Sequence, residues 1–170
     1  MNHDLVKFPM SADFVLTRAL PTPCELAYGY EHGWLESPVA VQVALAGYGK
    51  FFEPPPAYEE LALLLSDSFY RVPDLIREVA RTDSSGEDCS RIWLYLALAW
   101  VYVHRIDYSD PLSIVEQLYA DFDYPDEIEG FVRFLPAPQG LPTGEVALYG
   151  RWSEYLESVG MKYRSRHPQN

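Results

Sequence analysis

The sequence is short of cysteine, of cations and of long apolar runs, and each shortage closes off a class of protein. Two cysteines in 170 residues, Cys24 and Cys89, cannot build a disulfide framework, and neither belongs to a CxxC or Cys/His cluster. They read as small buried hydrophobes, the usual role of a free cysteine. Thirteen Lys and Arg stand against 25 Asp and Glu, giving a net charge of −12 and a pI near 4.6. Binding to nucleic acid through a basic face is therefore disfavoured, because each phosphate contact wants a cation. Anionic membrane surfaces are poor partners for the same reason. The longest apolar stretch, Ile92 to Val103, has twelve residues, against about 20 for a membrane span. The amino terminus lacks a basic start followed by an apolar run, so the expected compartment is the cytoplasm.

Catalytic signatures are missing as well. No GxSxG, HExxH or local Ser/His/Asp arrangement is present, and His3, His32, His104 and His167 show no ligand spacing. Gly49-Lys50 imitates the end of a phosphate loop, without its first glycine, its Ser/Thr or a preceding strand, so a helix C-terminus is expected there. Asp121-Phe122-Asp123 imitates the start of a calcium loop, but the turn glycine is Asp126 and the twelfth position is Val132. His104 is expected to serve the C-terminus of an apolar helix. The sequence thus implies no catalytic residue, no cofactor and no metal site, and the protein is read as a non-enzyme.

Helix punctuation is abundant. Thr22-Pro23-Cys24-Glu25 is a capping box, with Leu26 and Tyr30 inward and Gly33 as the stop. Ser37-Pro38 opens a second helix ending at Gly47-Tyr48-Gly49. Ala57 to Leu65 follows, with Leu61, Leu64 and Leu65 as its buried stripe. Pro73-Asp74 starts another, and Thr82 to Asp88 reads as a mobile loop. The run I-W-L-Y-L-A-L-A-W-V-Y-V, extended to about 90–105, is apolar on nearly every face and is expected to be the central helix, burying Trp93, Leu96 and Trp100. Asp110-Pro111, Pro125-Asp126 and Thr143-Gly144-Glu145 open three more, the last stopping at Gly160. The expectation is an all-α, single compact globule of about seven or eight helices spanning 1–161, with a basic, frayed tail over 162–170.

What the sequence does have is a concentration of one charge. From Ile106 to Val132 there are eight acids (Asp107, Asp110, Glu116, Asp121, Asp123, Asp126, Glu127 and Glu129) and no Lys or Arg, which accounts for −8 of the −12. Tyr108, Tyr119, Phe122, Tyr124 and Phe131 are interleaved with them. Helix starts explain Asp110, Asp126 and Glu127. They do not explain the missing cations, since a solubilising surface mixes both signs. A docking face for a basic protein does, with an exposed tyrosine as anchor.

Trp93-Leu94-Tyr95-Leu96, Asp110-Pro111-Leu112 and Tyr119-Ala120-Asp121-Phe122-Asp123-Tyr124-Pro125 also carry a likeness, continued by Ile128, Phe131-Val132-Arg133-Phe134, Trp152 and Tyr155-Leu156. Upstream, Tyr28 to Gly33 and Leu61 to Asp67 fit the same pattern. Together they resemble an uncharacterised bacterial domain-of-unknown-function family, family 2247, from about Leu26 to Leu156. Its members are similar to small cytoplasmic immunity proteins of toxin systems. The resemblance implies a cognate, basic toxin as partner and supplies no catalytic residue. Charge and likeness together place the contact at Asp121, Asp123, Tyr124, Asp126, Glu127 and Glu129. A helical adaptor or assembly subunit without a toxin partner, or a metal-dependent enzyme using the Asp121 and Asp123 region, are the alternatives. Oligomeric state is left open.

Overall fold

The computed structural model describes Phe8 and residues 10–82 and 88–166. The described residues are all-α, with eight α-helices, three 3-10 segments and no strand. His3, His167 and most of the loop expected over Thr82 to Asp88 lie outside them. The described chain forms two compact units, one drawn from 8–93 with 163–166 and the other from 94–162.

The first unit contains α1 (Ala12–Leu16), α2 (Pro23–Glu31), α3 (Ser37–Gly47), α4 (Pro56–Ala62) and α5 (Val72–Thr82). Helix α3 packs against α1, α2 and α4, and α5 packs against α2 and α4. The start signal at Thr22 becomes a real cap, whereas α3 begins at Ser37 with no side-chain cap bond. In α2 the Thr22 hydroxyl accepts from the Glu25 amide at 3.3 Å, and the Glu25 carboxylate accepts from the Thr22 amide at 2.9 Å. The short α1, which periodicity does not announce, is capped by Ser11, whose hydroxyl accepts from the Phe14 amide at 3.1 Å. Helix α5 is cleanly amphipathic: Val72, Leu75, Ile76 and Val79 are buried, while Asp74 and Arg77 face water.

Two expectations fail here. Helix α4 stops at Ala62, so of the leucine stripe only Leu61 is buried, and Leu65 is exposed. Three prolines fix where α4 begins, but the apolar run continues past its end into the 3-10 segment Ser66–Arg71. The cysteines are not free thiols. Cys24, at the first turn of α2, is disulfide-bonded to Cys89, just before α6, with Cα atoms 5.9 Å apart. Their separation of 65 residues leaves no spacing signal. The pairing follows from α2 lying against the start of α6, where the Trp93 indole N–H donates to the Glu25 carbonyl at 2.8 Å.

Helix α6 (Arg91–Val103) contributes Arg91 to Trp93 to this unit and the remainder to the other. From Ile92 through Ala99 every residue is buried, as an all-round apolar helix requires. Trp100 corrects the expected face, being half-buried; its ring stacks on His104, and its indole N–H donates to the Tyr108 hydroxyl at 3.3 Å. His104 Nδ1 donates to the Trp100 carbonyl at 2.8 Å, so it does close the helix C-terminus.

The second unit adds α7 (Pro111–Asp121), the 3-10 segment Asp126–Phe131 and α8 (Glu145–Ser165) through Lys162. Trp152 is its aromatic centre, fully buried against Tyr102, Phe131 and Tyr149. The segment after Pro125 forms a 3-10 turn rather than the expected α-helix. Helix α8 does not stop at Gly160. That glycine keeps helical dihedrals, costing roughly 1 kcal/mol relative to alanine without ending the helix. The helix runs on into the basic tail expected from Lys162, as far as Ser165. Arg166 is held by the Glu25 carboxylate, the same group that caps α2.

Candidate protein-docking edge

The six residues expected to contact a partner fall on one short stretch that runs from the last residue of α7 through the turn at Asp123 and Tyr124 into the 3-10 segment. Asp121 is the last residue of α7, and Phe122 is its C-cap. Beyond it the chain reverses through a Schellman closure: the Asp123 amide donates to the Ala120 carbonyl at 3.1 Å, and the Tyr124 amide to the Tyr119 carbonyl at 2.8 Å. Glycine normally occupies the left-handed position such a closure needs. Here it is Asp123, with φ 61°, followed by Tyr124 with φ 55°.

Two consecutive left-handed residues are costly, on the order of 1–2 kcal/mol each for L-residues, and less for aspartate. A residue before proline also prefers extended backbone, so Tyr124 is held against the preference that Pro125 imposes on it. The offsetting contacts are visible. Tyr119 and Tyr124 meet edge to face with centroids 5.1 Å apart, the apolar contact that accompanies a Schellman closure, worth roughly 0.5–1.5 kcal/mol. Pro125, Ile128 and Phe131 are buried beneath the turn. Tyr124 is therefore pinned at its backbone and along one ring edge, yet 58% exposed.

Asp123, Asp126, Glu127 and Glu129 flank it along the chain and are exposed, while Asp121 is half-buried. Glu129 is already engaged, accepting the Tyr119 hydroxyl at 3.1 Å. Burial, and then this carboxylate, push the Tyr119 phenol upward, which keeps its hydroxyl a donor.

The acid-rich segment is less uniform than its composition. Arg133, one residue past the cation-free stretch, donates both terminal nitrogens to Asp110 at 3.0 Å and its Nε to Glu116 at 3.1 Å. Its guanidinium holds the Asp110 carboxyl below the usual range. Those two acids are therefore structural, fastening the start of α7 to the chain after Phe131. The residue is plain in the sequence; what it pairs with is not, since 23 residues separate it from Asp110.

Among the described residues no group of three or more His, Cys, Asp or Glu side chains is placed to hold a metal ion, and no helix is long and apolar enough to cross a membrane. Chemically, the edge offers carboxylates around an immobilised phenol, which suits contact with cationic side chains.

No curated protein and no solved structure matches the chain. A family model described as an uncharacterized protein conserved in bacteria matches residues 12–160, a span that includes the Schellman turn, the buried Trp93 and the aromatic centre at Trp152. The chain therefore belongs to the DUF2247 family of bacterial proteins.

Proposed function

We propose that this protein is immunity-like: it binds and neutralises a cognate, basic bacterial toxin through the edge at Asp121, Asp123, Tyr124, Asp126, Glu127 and Glu129, and does no catalysis. The observation that carries the reading is Tyr124, held at a costly backbone conformation yet exposed among acids. Backbone strain that folding does not need is a mark of function. A tyrosine fixed before binding loses little side-chain freedom on docking, and carboxylates around it steer a cationic surface into register. Occupying a toxin's cationic cleft would deny it to the toxin's own anionic substrate.

Action in the cytoplasm is part of the proposal. Disulfides rarely persist in that reducing compartment, so the Cys24–Cys89 pair is expected to be a dithiol there and to bond on oxidation.

The test begins with the neighbouring reading frames. A product that is toxic when expressed alone should be neutralised by co-expression and should bind the purified chain. Combining Asp126→Lys and Glu127→Lys with Asp123→Asn, which tolerates the left-handed turn, should slow association about tenfold or more at low salt and flatten its salt dependence. Tyr124→Ala should instead raise the dissociation rate with the salt slope unchanged. Unchanged kinetics in the charge variant, with circular dichroism showing an intact fold, would remove the acidic edge from the interface. A neighbouring product that is harmless and does not bind would leave the adaptor reading in its place.

A further inference from the structure

The second charge feature of this acidic chain is a cleft whose described lining holds no acid. Where α1, α3 and α8 all end, a cavity of about 480 Å³ is lined by three cations, Arg18, Lys50 and Arg164, and by Leu16, Leu20 and Tyr163 among its apolar wall. No Asp or Glu contributes to the described lining, although acids outnumber cations 25 to 13 in the chain. The volume is in the range of small-molecule sites. Gly49-Lys50, which does not form a phosphate loop, thus stands at a helix C-terminus and brings its lysine to this cleft.

Helix C-termini carry partial negative charge, and cations collect there for that reason alone. Arg18 fits this account, since its guanidinium donates to the Phe14 carbonyl at 3.0 Å and lies over the Phe14 ring. Lys50 and Arg164 do not fit it. A capping cation bonds the terminal carbonyls, and neither of these side chains bonds any described group. Two exposed cations therefore face one cavity with their donors unspent on any described group, beside a third whose position is fixed.

We propose that the cleft binds a small organic phosphate. Three cations more than offset the two negative charges of a phosphate dianion. The Arg164 guanidinium offers a planar fork suited to phosphate oxygens, Lys50 offers a point charge, and Arg18, held on Phe14, adds fixed positive charge. The side chains of Leu16 and Leu20 and the ring of Tyr163 receive the organic part. All of these residues belong to the same compact unit, and the acidic edge contributes none of them, so the two sites fail or stand independently.

The experiment is an NMR titration of the isotope-labelled full chain with phenyl phosphate, inorganic phosphate and sodium chloride at matched ionic strength. Phenyl phosphate should give saturable shifts at the Leu20, Lys50 and Arg164 amides, with a Kd of about 1 mM or tighter. It should bind about fivefold more tightly than inorganic phosphate, because the ring leaves water. In the double variant Lys50→Gln, Arg164→Gln, affinity should fall about tenfold or more. Both side chains are exposed, so the fold is expected to survive, and the dispersion of the spectrum reports on it directly. Shifts that do not saturate, that sodium chloride reproduces, or that persist unchanged in the double variant would overturn the proposal. Equal affinity for inorganic and phenyl phosphate would mean an adventitious ion only, and would overturn it too.

Discussion

Adding one methyl group at Gly29 should unfold more of this protein than its helix propensity would save. Gly29 is buried within α2, and a β-carbon there would come within 3 Å of three atoms of the Trp93 ring. On propensity alone, Gly29→Ala stabilises a helix by about 1 kcal/mol. Against that stands overpacking, which costs roughly 1–3 kcal/mol in a close-packed core and more when the neighbour cannot move. Trp93 is such a neighbour, being fully buried and tethered by its indole N–H to the Glu25 carbonyl at 2.8 Å. The clash should win, leaving a net loss of about 2 kcal/mol or more and a Tm lower by roughly 5 °C or more. Urea denaturation followed by tryptophan fluorescence and circular dichroism measures it. A double-mutant cycle isolates the cause: with Trp93→Leu as background the methyl gains room, and Gly29→Ala should become neutral or stabilising. The coupling should then be about 2 kcal/mol. If Gly29→Ala raises stability in the wild-type background, as at an exposed helical glycine, the packing of α2 on Trp93 is wrong.

Reduction of the Cys24–Cys89 bond frees a loop of 65 residues in the unfolded chain, which the chain-entropy relation values at about 4 kcal/mol. Oxidised protein should therefore resist urea more than the reduced form, while Cys24→Ser/Cys89→Ser should show no response to reductant; equal midpoints for oxidised and reduced wild type would refute the pairing. Arg133 holds the Asp110 carboxyl at a folded pKa below its unfolded value of about 3.9. Stability from this pair is thus present above the unfolded value and is lost as pH falls through the folded one. The Tm gap between wild type and Arg133→Gln should be constant near neutrality and close only in strong acid; a gap that persists at pH 2 would mean that the charge pair is not its source.

Local chemistry settles most of the helical pattern. Thr22-Pro23-Cys24-Glu25 and Pro111 start helices because cap geometry involves residues three or four apart, and the stretch Ile92 to Ala99 is buried because it has no polar side to expose. The acidic edge is visible for the same reason, since its six residues lie within nine positions of the chain. Where local signals are weak, sequence and structure part: the 3-10 turn after Pro125, the early end of α4 and the passage of α8 through Gly160 all depend on what packs beneath them.

Only the tertiary structure could decide which charges are spent and which remain. Asp110 and Glu116 count as surface acids in the sequence but are bound by Arg133, and Arg166 in a basic tail is bound by Glu25 from 141 residues away. The same holds for Cys24 and Cys89, and for the three cations that meet where α1, α3 and α8 end. Composition and periodicity report what a residue can do with neighbours a few positions away, where backbone geometry fixes the distance. Partners tens of residues apart meet only after the helices have packed, and that packing is chosen by the summed burial of Trp93, Leu61, Trp152 and their neighbours rather than by the charges themselves.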